Sequence, residues 1–338
     1  MNPRTVQFIA FVVFNLAALV AGYVCRERGW VSEHRSRFLH FWTIALLWSA
    51  VGLFAVWRLP AEVSNLWLVA IEPVLVIVPA LLAIPLGRWI RAEPKQLGVL
   101  AIGAGLGNLG FTLGGYLCYT LLTDPALMAA DDATPAEVGN AALAYAVAQV
   151  SVMTVAGVVV LYPVARHFGG ERSDDESIGQ LIFHSLVDWR AMMLYTAILG
   201  AIFAYTGVPY PEPVDRWHVM DVLFYVGGFT AYFGIGLRLH VGTTVRAVRF
   251  HAVLAGIKFI VLPLLTAGLL LLAGLVSTGP PPLAAKVMLV LAPMPTAIQT
   301  VIIPNLFHLD ARLASGMWVV NTALFAAIPL PILLYVLI

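Results

Sequence analysis

The sequence predicts an all-helical membrane protein with ten transmembrane helices, arranged as two inverted repeats of five helices each. Of the 338 residues, 61% are hydrophobic and only 11% are charged, whereas a soluble domain carries about 25% charged residues. Apolar stretches long enough to cross a bilayer recur along the whole chain. Two of them, residues 101–115 and 291–304, are interrupted in the middle, at matching places in the two halves.

The first half contains five apolar stretches of the length that a bilayer core of about 30 Å requires, which is about 20 residues. They predict spans 1 to 5 over residues 5–24, 39–57, 66–87, 97–123 and 138–164. The N-terminus lacks the small-residue cleavage site of a signal peptide, so span 1 is expected to remain as a helix. Glycines weaken a helix interior, and span 4 is interrupted by Gly103, Gly105, Gly107, Gly110, Gly114 and Gly115.

The second half predicts spans 6 to 10 over residues 190–208, 218–238, 250–276, 284–305 and 313–337. Proline removes a backbone donor from a helix, and span 9 contains Pro293, Pro295 and Pro304. An unpaired backbone group in hydrocarbon is costly, so an interrupted helix persists only where it lines a cavity or packs against protein.

The most polar joint, residues 167–180, separates the two halves. It predicts a first repeat over residues 1–165, a cytoplasmic linker over 166–189 and a second repeat over 190–338. Fourteen of the nineteen Lys and Arg residues fall in the joints that follow odd-numbered spans, and four fall in the other joints and at the termini. The positive-inside rule then places both termini outside the cytoplasm. Because five is an odd number, the second repeat is inverted relative to the first.

A pair of interrupted spans, one in each half, is the sequence feature that best indicates the substrate site of a secondary transporter. Where two interruptions meet, the positive ends of two half-helices converge and favour an anion. The structural alternative is that Asn108 only caps open backbone groups and that the prolines only kink span 9. We predict that substrate binds to Gly107, Asn108 and Thr112 in span 4, and to Pro293, Pro295, Thr296 and Gln299 in span 9.

Two charged residue types lie more than one turn inside predicted spans, Glu72 in span 3 and Lys258 in span 8. Charged side chains inside a membrane are costly and mark functional sites. We therefore expect both to contact substrate, to take part in ion or proton coupling, or to pair with each other. An alternative for Lys258 is that its long stem extends to the inner membrane surface. Gln149, Ser151 and Asn321 are predicted to support these sites through packing hydrogen bonds.

Several chemistries have no signature in the sequence. It contains no Walker-type glycine loop, no GxSxG motif and no HExxH motif. None of the eight histidines has metal-ligand spacing with a second histidine or cysteine. Cys25 and Cys118 lie in different apolar segments and are expected to be free thiols. We therefore expect neither an enzyme nor a protein with a cofactor or metal, and a net charge of +1 gives no indication of nucleic acid binding.

Four segments carry a family resemblance through their order and spacing. They are GYVCRERGWVSEHRSRFLHFW at 22–42, GNLGFTLGG at 107–115, the region from GVPYPEP to GIGLRL at 207–239, and APMPTAIQTVIIPNLFHLDARLAS at 292–315. Together they resemble the auxin efflux carrier family, which includes bacterial dicarboxylate permeases and the plant auxin exporters. The chain looks like a bacterial-type member of this family within the bile acid/auxin transporter superfamily.

The resemblance implies the fold of NhaA-type antiporters and bile-acid symporters, with ten helices in two inverted five-helix repeats. It implies a scaffold of helices 1, 2, 6 and 7, and a transport domain of helices 3–5 and 8–10 that moves like an elevator within a homodimer. Substrate is then expected where the broken crossover helices 4 and 9 meet, beside Asn108. Two positions at this site differ from the residues that the family often has, with Gly115 in place of proline and Gln299 in place of asparagine.

The leading hypothesis is a secondary transporter of an organic anion, such as a dicarboxylate or an auxin-like acid, in a bacterial inner membrane. Its expected partners are the lipid bilayer, the anion and, for coupling, Na⁺ or H⁺. A sodium-coupled symporter of the bile-acid type is the alternative among carriers. A cation/proton antiporter is disfavoured because span 5 carries Gln149 and no carboxylate. The alternative of another class is a non-transporting membrane receptor or sterol sensor on a carrier fold.

Overall fold

The computed structural model describes residues 3–57, 66–110, 113–127, 134–170, 177–187, 189–239, 247–276 and 279–337. Within these ranges the chain is helical apart from turns, short extended segments and one isolated β-bridge. In chain order the helices are α1 (Pro3–Glu27), α2 (35–57), α3 (Leu66–Trp89), α4 (Pro94–Gly105), α5 (Gly114–Leu121), α6 (135–169), α7 (Ile178–Val187), α8 (Met192–Tyr205), α9 (Glu212–Arg216), α10 (Val219–Arg238), α11 (Val248–Val276), α12 (Pro282–Leu291), α13 (Gln299–Leu306), α14 (Ala311–Ala327) and α15 (Pro329–Leu337).

Several of these helices have the composition and length of membrane spans. In the described ranges, five helical stretches are long and apolar enough to cross a bilayer: Arg35–Phe54, Ala70–Trp89, Glu137–Gly169, Val248–Val276 and Ala311–Val336. Three shorter apolar helical stretches are Met192–Tyr205, Val222–Arg238 and Pro282–Leu291. The prediction of an all-helical protein with helices suited to a membrane is therefore confirmed.

Among the described helices, three long ones contain a wider, π-helical turn. These turns are Thr43–Trp48 in α2, Gly157–Leu161 in α6 and Ile257–Val261 in α11. A π-turn changes the direction of the side chains that follow it and occurs often at functional sites. The turn in α11 contains Lys258, which the sequence analysis selected as a coupling residue.

The structure differs from the predicted elements in two places. The predicted linker, residues 166–189, is not simply a polar joint, since α6 extends to Gly169 and α7 lies within it. Ser177 and Gln180 form a reciprocal cap at the start of α7, with the Ser177 N–H donating to Gln180 Oε1 at 2.8 Å. Span 10, expected as one helix, is divided at Ile328 because Pro329 disfavours a helical conformation in the residue before it.

The helices pack into two bundles. The first bundle consists of α1, α2, α8 and α10, in which α1 lies along α10 and α2 lies along α8 and α10. Glycines permit this close packing: a Cβ on Gly22 would lie 2.2 Å from the Phe233 carbonyl oxygen, and one on Gly200 would lie 2.5 Å from that of Leu53. The second bundle consists of α3 to α6 and α11 to α15, while α7 packs on α6 and α9 packs on α10.

Candidate functional site

The two interrupted stretches cross each other inside the second bundle. Gly107, between α4 and α5, forms an antiparallel β-bridge with Thr296, between α12 and α13. The Asn108 N–H donates to the Pro295 carbonyl oxygen at 2.7 Å, and the Ala297 N–H donates to that of Leu106 at 3.1 Å. The crossing segments therefore satisfy some of each other's open backbone groups, which is a requirement for broken helices in a membrane.

Glycine at position 114 is required by the tight turn that leads into α5. The Gly114 N–H donates to the Asn108 carbonyl oxygen at 3.1 Å, and the Gly115 N–H donates to that of Gly110 at 2.9 Å. A Cβ on Gly114 would lie 2.8 Å from the same Asn108 oxygen and 2.9 Å from the Leu109 Cα. Both are backbone atoms, so a side chain at this position would displace the crossover.

Thr296 is held in place by three hydrogen bonds and is fully buried. Its N–H donates to Asn321 Oδ1 at 2.8 Å, its hydroxyl donates to the Gly103 carbonyl oxygen at 3.0 Å, and the same hydroxyl lies 2.6 Å from that of Thr300. The N–H and the hydroxyl of Thr296 are therefore both paired with other groups of the protein. Thr296 and Asn321 therefore position the crossover.

An open cavity lies beside the crossover, between the two bundles. Its empty space is about 700 Å³ when the open mouth is included. The second bundle provides one wall and the first bundle provides the other, through α2 and α8. The cavity is lined by Trp48, Val51, Gly52, Gly107, Asn108, Gly110, Val147, Val150, Ser151, Met153, Thr154, Met193, Ala197, Ile298 and Gln299.

The polar part of this lining is uncharged. Asn108 is only 5% exposed and Gln299 is half-buried at the first residue of α13. The hydroxyls of Ser151 and Thr154 donate to carbonyl oxygens of their own helix at 2.9 and 2.8 Å, so they remain acceptors toward the cavity. Most other lining side chains are apolar, so the cavity suits a ligand with a small polar group and an apolar body.

Glu72 and Lys258 lie buried in the second bundle, on α3 and α11. The Glu72 carboxylate accepts a 2.7 Å hydrogen bond from Gln149 Nε2. Lys258 is fully buried, so the alternative that its stem extends to the membrane surface is wrong. A Cβ on Gly107 would lie 3.8 Å from Lys258 Nζ, which places the amine next to the crossover.

Two polar atoms of this buried group have no hydrogen-bond partner in the part of the chain that the structure describes, Lys258 Nζ and Gln149 Oε1. Unpaired polar atoms are rare in protein interiors and require an explanation.

Only some of the site residues predicted from the sequence line the cavity. Gly107, Asn108, Ser151 and Gln299 meet at the cavity. Half-buried Pro293 and buried Pro295 belong to the crossing segment but are not among the lining residues, and Thr112 lies outside the described residues. The lining residues that sequence reasoning missed include Trp48, Met193 and Thr154. Trp48 could have been noticed, because it lies in the middle of predicted span 2, away from the membrane interfaces where tryptophan is common.

Comparison with known proteins adds no assignment. No protein-family model matches the chain, and no curated protein matches it. Among the described residues, no group of three or more His, Cys, Asp or Glu side chains could hold a metal ion.

Proposed function

We propose that the protein is a secondary transporter of an organic anion, and a bacterial-type member of the auxin efflux carrier family. The observation that supports this most strongly is the backbone crossing of two interrupted helices at the edge of a cavity between two bundles. Interrupted helices that meet near the middle of a membrane are a recurrent way to build a transporter site.

The proposed membrane topology has ten spans. They are α1, α2, α3, α4 with α5, and α6 in the first repeat, and α8, α10, α11, α12 with α13, and α14 with α15 in the second. In each repeat the first two spans belong to the first bundle, the other three belong to the second, and the fourth is broken. This shared order supports an inverted repeat, with both termini in the periplasm.

The proposed site at the crossover takes the anionic group of the substrate. Helices α5 and α13 begin at or beside the crossover, and the positive end of a helix dipole favours negative charge. The amine of Lys258 lies behind Gly107 and adds a hydrogen-bond donor there. The opposite wall, with Trp48, Val51 and Met193, is apolar. This lining favours a monocarboxylate with an apolar body over a dicarboxylate, because none of the described residues that line the cavity is ionisable.

Transport is proposed to occur by an elevator-type movement. The first bundle serves as the scaffold, through which two protomers form a homodimer in the inner membrane. The second bundle carries the crossover and slides along the scaffold, so the cavity between them opens to alternate sides. Glu72, Gln149 and Lys258 move with the second bundle and are proposed to couple the movement to H⁺ or Na⁺.

A sodium-coupled symporter of the bile-acid type is the second candidate. It is favoured by the buried Glu72 carboxylate, which is bonded to Gln149 Nε2, and by Gln149 Oε1, which has no hydrogen-bond partner among the described residues, since Na⁺ binds oxygen ligands. Uptake measured with and without a sodium gradient distinguishes the two. A receptor or sterol sensor on the same fold predicts ligand binding without any uptake.

The first experiment is a thermal-shift screen of purified protein with monocarboxylates, dicarboxylates, bile acids and a sterol. The best ligand is then assayed for uptake into proteoliposomes. Asn108→Asp keeps the size of the side chain but places a negative charge at the site, so uptake of an anion is expected to fall by about tenfold or more, which corresponds to about 1.4 kcal/mol.

The matched control is Gln180→Glu, the same amide-to-acid change at the exposed start of α7. It retains the cap and is expected to transport normally. Unchanged uptake by Asn108→Asp contradicts the assignment of the site. Stabilisation by a sterol alone, with no uptake of any acid, contradicts the proposed transport function.

A further inference from the structure

A second polar cluster joins the two bundles away from the cavity. It consists of Ser36 and His40 on α2, Asn305 on α13 and the Gly234 carbonyl oxygen on α10. Asn305 Nδ2 donates to Ser36 Oγ at 3.0 Å and to His40 Nδ1 at 2.9 Å, and Ser36 Oγ donates to the Gly234 oxygen at 2.9 Å. The three side chains are at most 2% exposed.

The cluster is specific in its chemistry. One amide nitrogen supplies two hydrogens to two acceptors, and this requires the His40 Nδ1 to be unprotonated. The imidazole packs on α10 at a glycine, because a Cβ on Gly234 would lie 2.5 Å from His40 Nε2. The two bundles are therefore held in one register here by both hydrogen bonds and shape.

A charged layer lies outside this cluster. The Glu33 carboxylate, just before α2, accepts hydrogen bonds of 3.1 Å from Arg238 at the end of α10 and from Arg312 at the start of α14. Arg37 Nη2 lies 3.1 Å from His308 Nδ1. Arg312 and His308 belong to the second bundle, so their contacts with Glu33 and Arg37 join the bundles as well.

All these contacts lie on the side of the membrane that is proposed to face the cytoplasm. A sliding movement of the second bundle along α2 and α10 breaks the contacts of Asn305, His308 and Arg312 with the first bundle. The buried amide of Asn305 then has to find new partners or water. Such a contact favours the conformation in which it forms.

We propose that Asn305, Ser36 and His40 form a latch that holds the two bundles closed on the cytoplasmic side, with Glu33 and Arg312 as its outer layer. The proposal rests on the elevator-type movement proposed above. Opening of the latch is then a step of the transport cycle, and weakening it shifts the population toward the conformation that is open to the cytoplasm.

The test measures the distance between the bundles, without any substrate. Spin labels on the exposed positions Arg35→Cys and Lys95→Cys, in a Cys25→Ser background, report the separation of α2 from α4 in a bilayer. The native latch is expected to give one main distance. Asn305→Leu and Ser36→Ala are each expected to add a second, longer distance.

The matched control is Ser315→Ala, which also removes a fully buried serine hydroxyl. Among the described residues, this hydroxyl bonds only to the Ala311 carbonyl oxygen of its own helix. The control variant is expected to leave the distance unchanged. The latch is refuted if Ser36→Ala gives the same distance distribution as Ser315→Ala. Because no ligand is present, this result is independent of whether the protein transports an organic anion.

Discussion

Replacement of Asn321 with leucine tests whether the crossover depends on a side chain from α14. Asn321 Oδ1 accepts a 2.8 Å hydrogen bond from the Thr296 N–H, and both residues are buried. Leucine has a similar volume but no acceptor, so the N–H is left unpaired in the protein interior. An unsatisfied buried donor costs about 1–3 kcal/mol.

The net effect is expected at the lower end of this range. Asn321 Nδ2 is itself buried and has no hydrogen-bond partner within the described ranges, and leucine removes that unfavourable group. We expect the protein to be destabilised by about 1–2 kcal/mol. The ratio of protein with an intact crossover to protein with a disrupted crossover then falls by about 5–30-fold. Ligand affinity can fall by at most this factor, because the ligand binds to the intact crossover.

Thermal unfolding in detergent and titration with the most stabilising carboxylate measure the two effects. The control is Thr322→Val on the neighbouring residue, because the Thr322 hydroxyl oxygen is also buried without a partner in the described structure. Its removal is expected to be neutral or stabilising. If Asn321→Leu and Thr322→Val melt at the same temperature and bind the ligand equally, the inference that Asn321 positions the crossover is refuted.

Two further variants test the backbone turn and the buried charge. Gly114→Ala brings a Cβ to 2.8 Å from the Asn108 carbonyl oxygen and is expected to lower ligand affinity by about tenfold. The control is Gly268→Ala, which lies in open space on α11 and is expected to leave ligand binding unchanged. If the two variants bind the ligand with equal affinity, the requirement for glycine at the turn is contradicted. Lys258→Met is expected to lower carboxylate affinity by about tenfold or more, because it removes the amine beside Gly107. Lys286→Met on α12 is its control, and a Lys258→Met protein that binds as well as wild type contradicts a role for this amine.

The places where the helices break were accessible from the sequence because glycine and proline act on their own turn of backbone. Helix α4 ends at Gly105 within the glycine-rich stretch, and α12 ends just before Pro293. The same local reasoning failed for α7, although the spacing of Ser177 and Gln180 is that of a helix cap. The surrounding residues 167–180 are polar, and this composition favours a linker over a helix.

The buried ionisable residues could also be selected from the sequence, since a charge within an apolar span is unusual wherever it occurs. The surroundings of these residues could not be predicted from the sequence. Nothing in the sequence near Lys258 indicates that its amine lies beside Gly107, or that Glu72 accepts its hydrogen bond from Gln149, 77 residues away.

The sequence by itself determined that the chain forms apolar helices, where two of them are interrupted, and which polar residues lie within them. These properties depend on composition and on backbone chemistry within one or two turns. The tertiary structure alone decided that the Asn108 N–H pairs with the Pro295 oxygen, that Asn321 supports Thr296, and that Trp48 of the other bundle closes the cavity. Such pairings join residues that are distant in sequence, and they exist only once all the helices have packed and excluded lipid and water from the polar groups between them.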